Sequence, residues 1–243
     1  MRAVFINRYG GTEVLEYGDR PRPVPRSGQV LVEVHAASVN PRDWLLREGR
    51  YVFRYLMPGF PLILGSDVSG VVVEAGSNTS RFRPDDAVFG MQTPFGRMGG
   101  YAEYIAIHER ALAAKPANIS HEEAAAVPCA ALTAYGALSR IGQTRAGSHV
   151  TIIGASGGVG TYATQLAKAL GATVTAVTSA RNASLVESLG ADRVIDYTTE
   201  HFETVLRSQD LVFDTIGRES LRKCSPVLAQ RGRYVTTIPS PAT

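Results

Sequence analysis

Residues 155–160 read ASGGVG, set between the apolar run Val150, Ile152, Ile153 and a stretch with helical spacing from Thr161 to Leu170. A buried strand, a glycine turn and an amphipathic helix in that order make an anion site, because the open amides at the helix start and the positive end of its dipole face one point. Gly154 ends the strand where the chain must turn, and the next residues match G-x-G-x-x-G with Ala155 in the first glycine's place. In this turn the middle glycine lets the backbone approach a pyrophosphate and the last lets helix and strand pack closely, roles that fall to Gly157 and Gly160. A glycine string alone says little. The legible strand before it and helix after it make it the start of a dinucleotide-binding unit.

The residues after the second strand decide which dinucleotide. An Asp or Glu about 20 residues past the glycines holds a ribose 2′-hydroxyl, whereas an Arg there accommodates a 2′-phosphate. No acidic residue occurs from Val174 through Val186. Thr178, Ser179, Arg181 and Asn182 offer hydroxyls, a guanidinium and an amide instead, and the planar fork of Arg suits a phosphate. The expected cofactor is NADPH. The alternative, Arg181 as a solvated residue of a first helical turn, leaves the missing acid unexplained.

These residues need a sheet to position them. Thr173–Val177, Arg193–Asp196, Leu211–Asp214 and Arg233–Ile238 are further short apolar or β-branched runs after the strand at 149–153. Helical segments alternate with them: Leu185, Val186 and Leu189 before Gly190, and Leu221 to Ala229 before Gly232. Such alternation predicts a parallel sheet with helices on both faces. Five strands stand against the six of the full fold in the order 3-2-1-4-5-6. With the tail Pro239–Thr243 a poor place to close a sheet, the expectation is a partial chain.

The first half differs in texture. Val30–His35 alternates like a half-exposed strand, Gly70–Ala75 and Asp86–Gly90 are two more, and Pro21, Pro23, Pro25, Gly28, Pro58, Gly59 and Pro61 punctuate them. This predicts an irregular antiparallel β domain, followed by a helix-rich connector from Ser120, an N-cap, to Ile141. With 243 residues and 44% of them hydrophobic, two modest domains with real cores are within reach.

Net charge is +3 with both signs interleaved, which leaves no basic face for nucleic acid. No apolar run approaches the ~20 residues that span a bilayer, and the N-terminus lacks the basic-then-apolar order of a signal peptide. Cys129 and Cys224 are too sparse for a disulfide framework, so a cytoplasmic, reducing location is expected. His35, His108, His121, His149 and His201 show no i,i+4 pairing of the kind metal sites use.

Seven blocks carry a resemblance along nearly the whole chain: Ser38–Asp43, Gly65–Asp67, Gly70–Val72, Gly100–Tyr104, Leu132–Tyr135, Ala155–Gly160 and Gly190–Tyr197. In this order they resemble the medium-chain dehydrogenase/reductase superfamily, and within it the zinc-free quinone oxidoreductase branch, which includes zeta-crystallin. The resemblance implies an α/β chain. A GroES-like irregular β-barrel catalytic domain would cover residues 1–120, and a Rossmann doubly wound parallel sheet with connector helices residues 121–243, incomplete at its C-terminus.

The resemblance also assigns candidate residues. Zinc-containing relatives have Cys, His and Cys where this chain has Asn40, Ser66 and Cys129, so one ligand survives of the three a catalytic zinc needs. No metal is expected, and no cysteine cluster stands between Arg81 and Tyr101, where relatives carry a structural zinc. Cys129 is expected to be buried as a small hydrophobe. Arg42 stands where zinc relatives have a proton-relay hydroxyl, which weakens an alcohol dehydrogenase reading. Asn40 matches the family residue beside nicotinamide and substrate, Thr133 a position at the nicotinamide end, and Tyr51 a pocket tyrosine able to donate a hydrogen bond or proton. Each has a plain alternative: Asn40 caps a turn before Pro41, Thr133 packs a helix, Tyr51 is a half-buried aromatic. Asp43 matches too, with a structural hydrogen bond as its expected use. Tyr197 is implied near the adenosine phosphate. The cofactor set is thus Asn40, Thr133, Ser156, Gly157, Gly158, Val159, Gly160, Ser179, Arg181, Tyr197 and Ile216.

The implied reaction is direct hydride transfer to a quinone or α,β-unsaturated carbonyl, whose conjugation spreads the arriving charge onto an oxygen that one hydrogen bond stabilises. An enoyl-thioester reductase shares every motif. A non-catalytic NADPH-binding or assembly protein also stays open, because cofactor binding uses local loops while catalysis needs both domains complete. The expected partner is a small-molecule quinone or enone, with no nucleic acid and no membrane; a homodimer stays open.

Overall fold

A computed structural model describes residues 1–52, 54–57, 59–92 and 99–238. Pro58, the tail 239–243 and part of the stretch 81–101 named above lie outside them. The chain divides into two compact units, Met1–Cys129 and Ala130–Thr243. Among the described residues no helix is long and apolar enough to cross a membrane.

Unit 1 holds β1 (Arg2–Ile6), β2 (Leu15–Asp19), β3 (Gln29–Ala37), β4 (Leu62–Ile63), β5 (Asp67–Ala75), β6 (Ala87–Met91), β7 (Tyr104–His108) and β8 (Leu112–Ala114). They form two antiparallel sheets, one ordered β2-β1-β4 and one β7-β3-β5-β6-β8. In β3 the expected alternation holds only from Glu33 onward, because Val30, Leu31 and Val32 are all fully buried. The strand is central in its sheet, and there it is covered on both faces. Val30, Val32, Val68, Val72, Val88, Ile105 and Ile107 build one core cluster. Burying each such side chain contributes roughly 1.5–3 kcal/mol.

Helices α1 (Pro41–Arg47) and α2 (His121–Ala125) belong to this unit, and α3 (Pro128–Tyr135) runs from its end into unit 2, continuing as a π-helical stretch to Ile141. Ser120 caps α2 as expected. Its hydroxyl accepts from the Glu123 amide while the Glu123 carboxylate accepts from the Ser120 amide. The expected connector is therefore helix-rich, broken by a turn at Ala126 and Val127, and α2 packs on β3, β5 and β6 of unit 1.

Unit 2 is a five-stranded parallel sheet of β9 (His149–Ile153), β10 (Thr173–Thr178), β11 (Arg193–Asp196), β12 (Gln209–Asp214) and β13 (Leu228–Thr236), ordered β11-β10-β9-β12-β13. Counted along the chain that is 3-2-1-4-5. Helices α4 (Gly158–Ala169), α5 (Ala183–Ser188), α6 (Phe202–Val205) and α7 (Leu221–Cys224) join the strands. Ala163 and Ala167 of α4 pack with Val150, Ile152, Val174, Leu211 and Phe213 in the larger core cluster. The last interval departs from the expected helix at Leu221–Ala229. Pro226 removes an amide and tightens Ser225–Val227 into a 3-10 turn, and β13 already begins at Leu228. Leu228 pairs with Gln209 and Arg233 with Leu211, so residues 229–232 bulge from the ladder.

Candidate active site

The register of unit 2 brings the ends of its strands to one edge. Val177 and Asp214 both lie opposite Ile153, and Asp196 lies opposite Thr178. Chain order reverses between β9 and β12, and ligands of open parallel sheets bind outside the carboxyl ends of the strands at that point. The glycine turn follows β9, residues 179–182 follow β10, Tyr197 follows β11 and Ile216 follows β12. Backbone bonds hold them: the Gly154 and Ala155 amides donate to the Val177 carbonyl at 3.0 and 3.2 Å, Tyr197 to Thr178, and Thr215 to Ile153. The structure thus brings the cofactor residues predicted in unit 2 beyond the connector to one edge.

Within the turn the glycines divide their tasks by available space. Gly154 has φ +76°, which a side chain would strain, and a Cβ there would meet Ile216 Cγ1. A Cβ on Gly160 would lie 2.2 Å from the Gly154 carbonyl oxygen. A Cβ on Gly158 would meet nothing within 4 Å. Gly157 is the N-cap of the twelve-residue α4, and no side chain caps it. The first i→i−4 bond is Thr161 to the Gly157 carbonyl, so the amides of Gly158, Val159 and Gly160 have no partner within the helix. Open space at Gly158 and three successive amides without a partner in the helix suit a pyrophosphate.

Side chains tie this turn to the next. Ser156 Oγ is 2.8 Å from Thr178 Oγ1, and Asn182 Nδ2 donates to Ser156 Oγ at 3.0 Å and Ser179 Oγ at 3.4 Å. Arg181 is exposed and makes no hydrogen bond or ion pair among the described residues. Asp196, which the sequence reading gave no role, lies against the same turn. Its carboxylate accepts from the Thr198 amide and hydroxyl and faces the Ala180 amide, which together hold its pKa below the ordinary range.

Unit 1 gathers a second set of groups. Asn40 is the N-cap of α1, and its amide nitrogen Nδ2 donates to Ser38 Oγ and to Asp67 Oδ2, each at 3.1 Å. Ser38 Oγ also donates to Asp67 Oδ2 at 3.0 Å, and the Cys129 amide donates to that oxygen at 3.1 Å. Asn40 and Cys129 therefore converge on Asp67, which directly follows Ser66 in the chain. Nδ2, Ser38 Oγ and Asp67 Oδ2 form a nearly equilateral triangle, so the two acceptors subtend about 60° at a nitrogen whose two N–H bonds diverge by about 120°. One N–H shared by both acceptors and one N–H for each lie equally about 30° off the acceptors, so the triangle fits either arrangement, and the shared one leaves an N–H available to donate. Cys129 is half-exposed, which corrects the expectation that it lies buried; the buried cysteine is Cys224, whose thiol burial pushes up to about 12. Cys129 opens its helix, where its amide and not its thiol sets the contact with Asp67.

Asp43 is buried, and its Oδ2 accepts from the Asn40 amide and the Tyr101 hydroxyl at 2.8 and 2.9 Å. Arg42 donates to the Gln92 carbonyl, and its charge favours both carboxylates. Burial is the stronger influence and raises the pKa of Asp43 and of Asp67. Tyr51 packs beside the apolar cluster of Ile6, Val14, Leu46, Leu62 and Leu64, and Thr133 lies half-buried on α3. His35 and His121, distant in sequence, approach to 4.5 Å between ring centroids, with His121 Nδ1 2.8 Å from Ser69 Oγ. Among the described residues no three His, Cys, Asp or Glu side chains are grouped to hold a metal ion.

The raised carboxylates predict a sign for pH dependence. A folded pKa above the unfolded value near 3.9 means that the native state binds more protons across that interval, so the contribution is full at acid pH and is lost as pH rises through the folded pKa. The stability of the parent relative to Asp43→Asn, measured by urea unfolding from about pH 4 to pH 7, should therefore shrink as pH rises. A difference that grows with pH would contradict the burial argument.

One unit is a parallel sheet with a glycine turn at its switch point, and the other is an antiparallel β unit with a buried polar cluster. Comparison with known proteins agrees. The alcohol dehydrogenase GroES-like domain matches residues 26–117 and the zinc-binding dehydrogenase family residues 158–237. The quinone oxidoreductase of Coxiella burnetii superposes with a TM-score of 0.89 at 34% identity, covering 97% of this chain and 75% of that one. The chloroplastic quinone-oxidoreductase homolog of Spinacia oleracea is 37% identical over 99% of this chain and 76% of its own length. The mitochondrial NAD(P)H oxidoreductase RTN4IP1 of Bos taurus is 38% identical over 89% of this chain, and the 2-methylene-furan-3-one reductase of Solanum lycopersicum 38% over 90%. This chain spans 60% and 58% of the length of those two. The chain belongs to the medium-chain dehydrogenase/reductase superfamily and to its quinone oxidoreductase branch, with a GroES-like unit followed by a Rossmann unit.

Proposed function

We propose that the protein is an NADPH-dependent oxidoreductase that reduces a quinone or an α,β-unsaturated carbonyl without zinc. The observation that carries this reading is the edge of unit 2, where three amides open at the start of α4 after β9, and Arg181, which makes no hydrogen bond or ion pair among the described residues, follows the neighbouring β10. When bound, the dinucleotide supplies the hydride. Gly158, Val159 and Gly160 hold its pyrophosphate through their amides, and Ser179 and Arg181 hold the 2′-phosphate through charge-assisted hydrogen bonds. Tyr197 and Ile216 flank the adenosine side and the glycine turn. Asn40 directs its remaining N–H at the acceptor oxygen, Thr133 serves the nicotinamide end, and Tyr51 lends a hydrogen bond or proton to the product.

The zinc-free reading is supported by the residue types at Asn40, Ser66 and Cys129: an amide, a hydroxyl and a single thiol, where a catalytic zinc needs three good ligands. The names of the spinach and tomato proteins support conjugated acceptors. The proposal places this chain in the cytoplasm; the bovine and spinach relatives carry mitochondrial and chloroplastic names.

Titration with NADPH and NADH, then stopped-flow oxidation of each with quinones, enones and enoyl thioesters in the presence of a chelator, tests the reading. NADPH should bind about 10- to 100-fold more tightly than NADH, an advantage erased in Arg181→Ala. Turnover should survive the chelator. Equal affinities would sink the cofactor assignment, and cofactor binding without turnover of any acceptor would favour a non-catalytic role.

A further inference from the structure

We infer that Asp67 is a positioning residue, which aims the Asn40 amide by holding one of its N–H bonds and leaving the other free. The inference rests on the proposed role of Asn40 and adds to it the group that makes that role possible. Asn40 sits where β3 hands over to α1, half-exposed, and such a side chain has several rotamers to choose from. Asp67 has no such freedom. It opens β5, pairs with Met91 of β6, and is 1% exposed. Its Oδ2 collects Asn40 Nδ2, Ser38 Oγ and the Cys129 amide within 3.1 Å.

The rest of the carboxylate argues against a purely structural node. Oδ1 is buried with no partner among the described residues, and the Ser66 hydroxyl beside it is in the same state. A buried carboxylate with one unsatisfied oxygen is a poor way to hold a fold together, since apolar or neutral replacements of buried charges are often neutral or stabilising. It is a good way to fix a donor, because a carboxylate accepts several charge-assisted bonds at one oxygen. Preorganised donors are worth most where the supporting groups lock their rotamer.

The test separates positioning from structure by reading turnover, coupling and stability together in the parent, Asp67→Asn, Asn40→Ala and the double variant. In Asp67→Asn, kcat should fall about tenfold or more with KM for NADPH unchanged, while the urea midpoint stays level or rises. On the Asn40→Ala background the same substitution should change kcat less than about twofold, since the two act through one interaction. Ser38→Ala, which removes the second acceptor, should give a smaller loss that also vanishes without Asn40, and it serves if Asp67→Asn fails to fold. The 15N-labelled side-chain amide of Asn40 gives a readout independent of turnover: its two protons should be separated in the parent by more than the ordinary spacing of a solvated Asn amide and return to that spacing in Asp67→Asn. Equal losses on both backgrounds, a lowered midpoint that tracks the loss of kcat, or an unmoved Asn40 amide signal would overturn the inference. Should the parent reduce no acceptor, the amide signal still decides Asp67 while the hydride-transfer reading falls separately.

Discussion

Gly160→Ala should abolish tight dinucleotide binding and destabilise unit 2. The added Cβ would lie 2.2 Å from the Gly154 carbonyl oxygen and 2.7 Å from the carbonyl carbon and Cα of Ala155. All are backbone atoms. They cannot swing aside, because Gly154 and Ala155 are bonded to Val177 and Ala155 is fully buried. Helix α4 must therefore move away from β9, which loosens Ala163 and Ala167 from the core and carries the amides of residues 158–160 off their common point. Overpacking of this kind costs roughly 1–3 kcal/mol. Loss of two of the anion's charge-assisted hydrogen bonds, each about 1.5–3 kcal/mol, weakens binding by about two orders of magnitude or more. Gly158→Ala is the matched control, since its Cβ enters open space, and it should unfold at the parent's urea midpoint. NADPH binding by Gly160→Ala at the parent's affinity would show that the turn has room that the geometry denies.

That glycine was legible because the signal is local. A strand, a turn and a helix follow one another without interruption in 149–170, and short-range sterics fix both the conformation and the residue type. The order of the parallel strands was legible for a related reason, since βα units of this length wind one way. The polar cluster of unit 1 was not. Ser38, Asn40, Asp67, Tyr101 and Cys129 come from segments far apart in the chain, and what joins them is the register of β3 on β5 and of β5 on β6. Asp67 lay in plain view at the head of a β-branched run, DVSGVVV, where an acid beginning a buried strand needs partners. Sequence spacing names no partner for it. The misplaced helix end at Ala229 has a different origin: Leu221 to Ala229 has helical spacing, but Pro226 and pairing with β12 override propensity there. Asp196 shows the limit of reading a cofactor from one window. The stretch 174–186 holds no acid, yet parallel pairing of β10 with β11 delivers one to the same turn.

Asn40→Ala should lower kcat by about 10²–10³ while leaving NADPH affinity within about threefold, because the substitution removes one donor aimed at the oxygen that gains charge and leaves in place the groups proposed to hold the dinucleotide's phosphates. A donor that strengthens as charge develops stabilises the transition state more than the ground state, so its loss appears in kcat. The fold should tolerate the change. The backbone amide of residue 40 still donates to Asp43, and Asp67 Oδ2 keeps Ser38 Oγ and the Cys129 amide. Asn40→Asp refines the point. It preserves shape but replaces the outward N–H with an acceptor and sets a second carboxylate against Asp67, so it should be slower than Asn40→Ala at neutral pH and should recover toward it as the medium is acidified and the pair takes up a proton. Stopped-flow traces of NADPH oxidation under single-turnover conditions read the step directly, free of product release. If Asn40→Ala consumed NADPH at the parent's rate with both a quinone and an enone, the second N–H would have no part in the chemistry. Asn40 would then be only the cap of α1, which its place before Pro41 already permits.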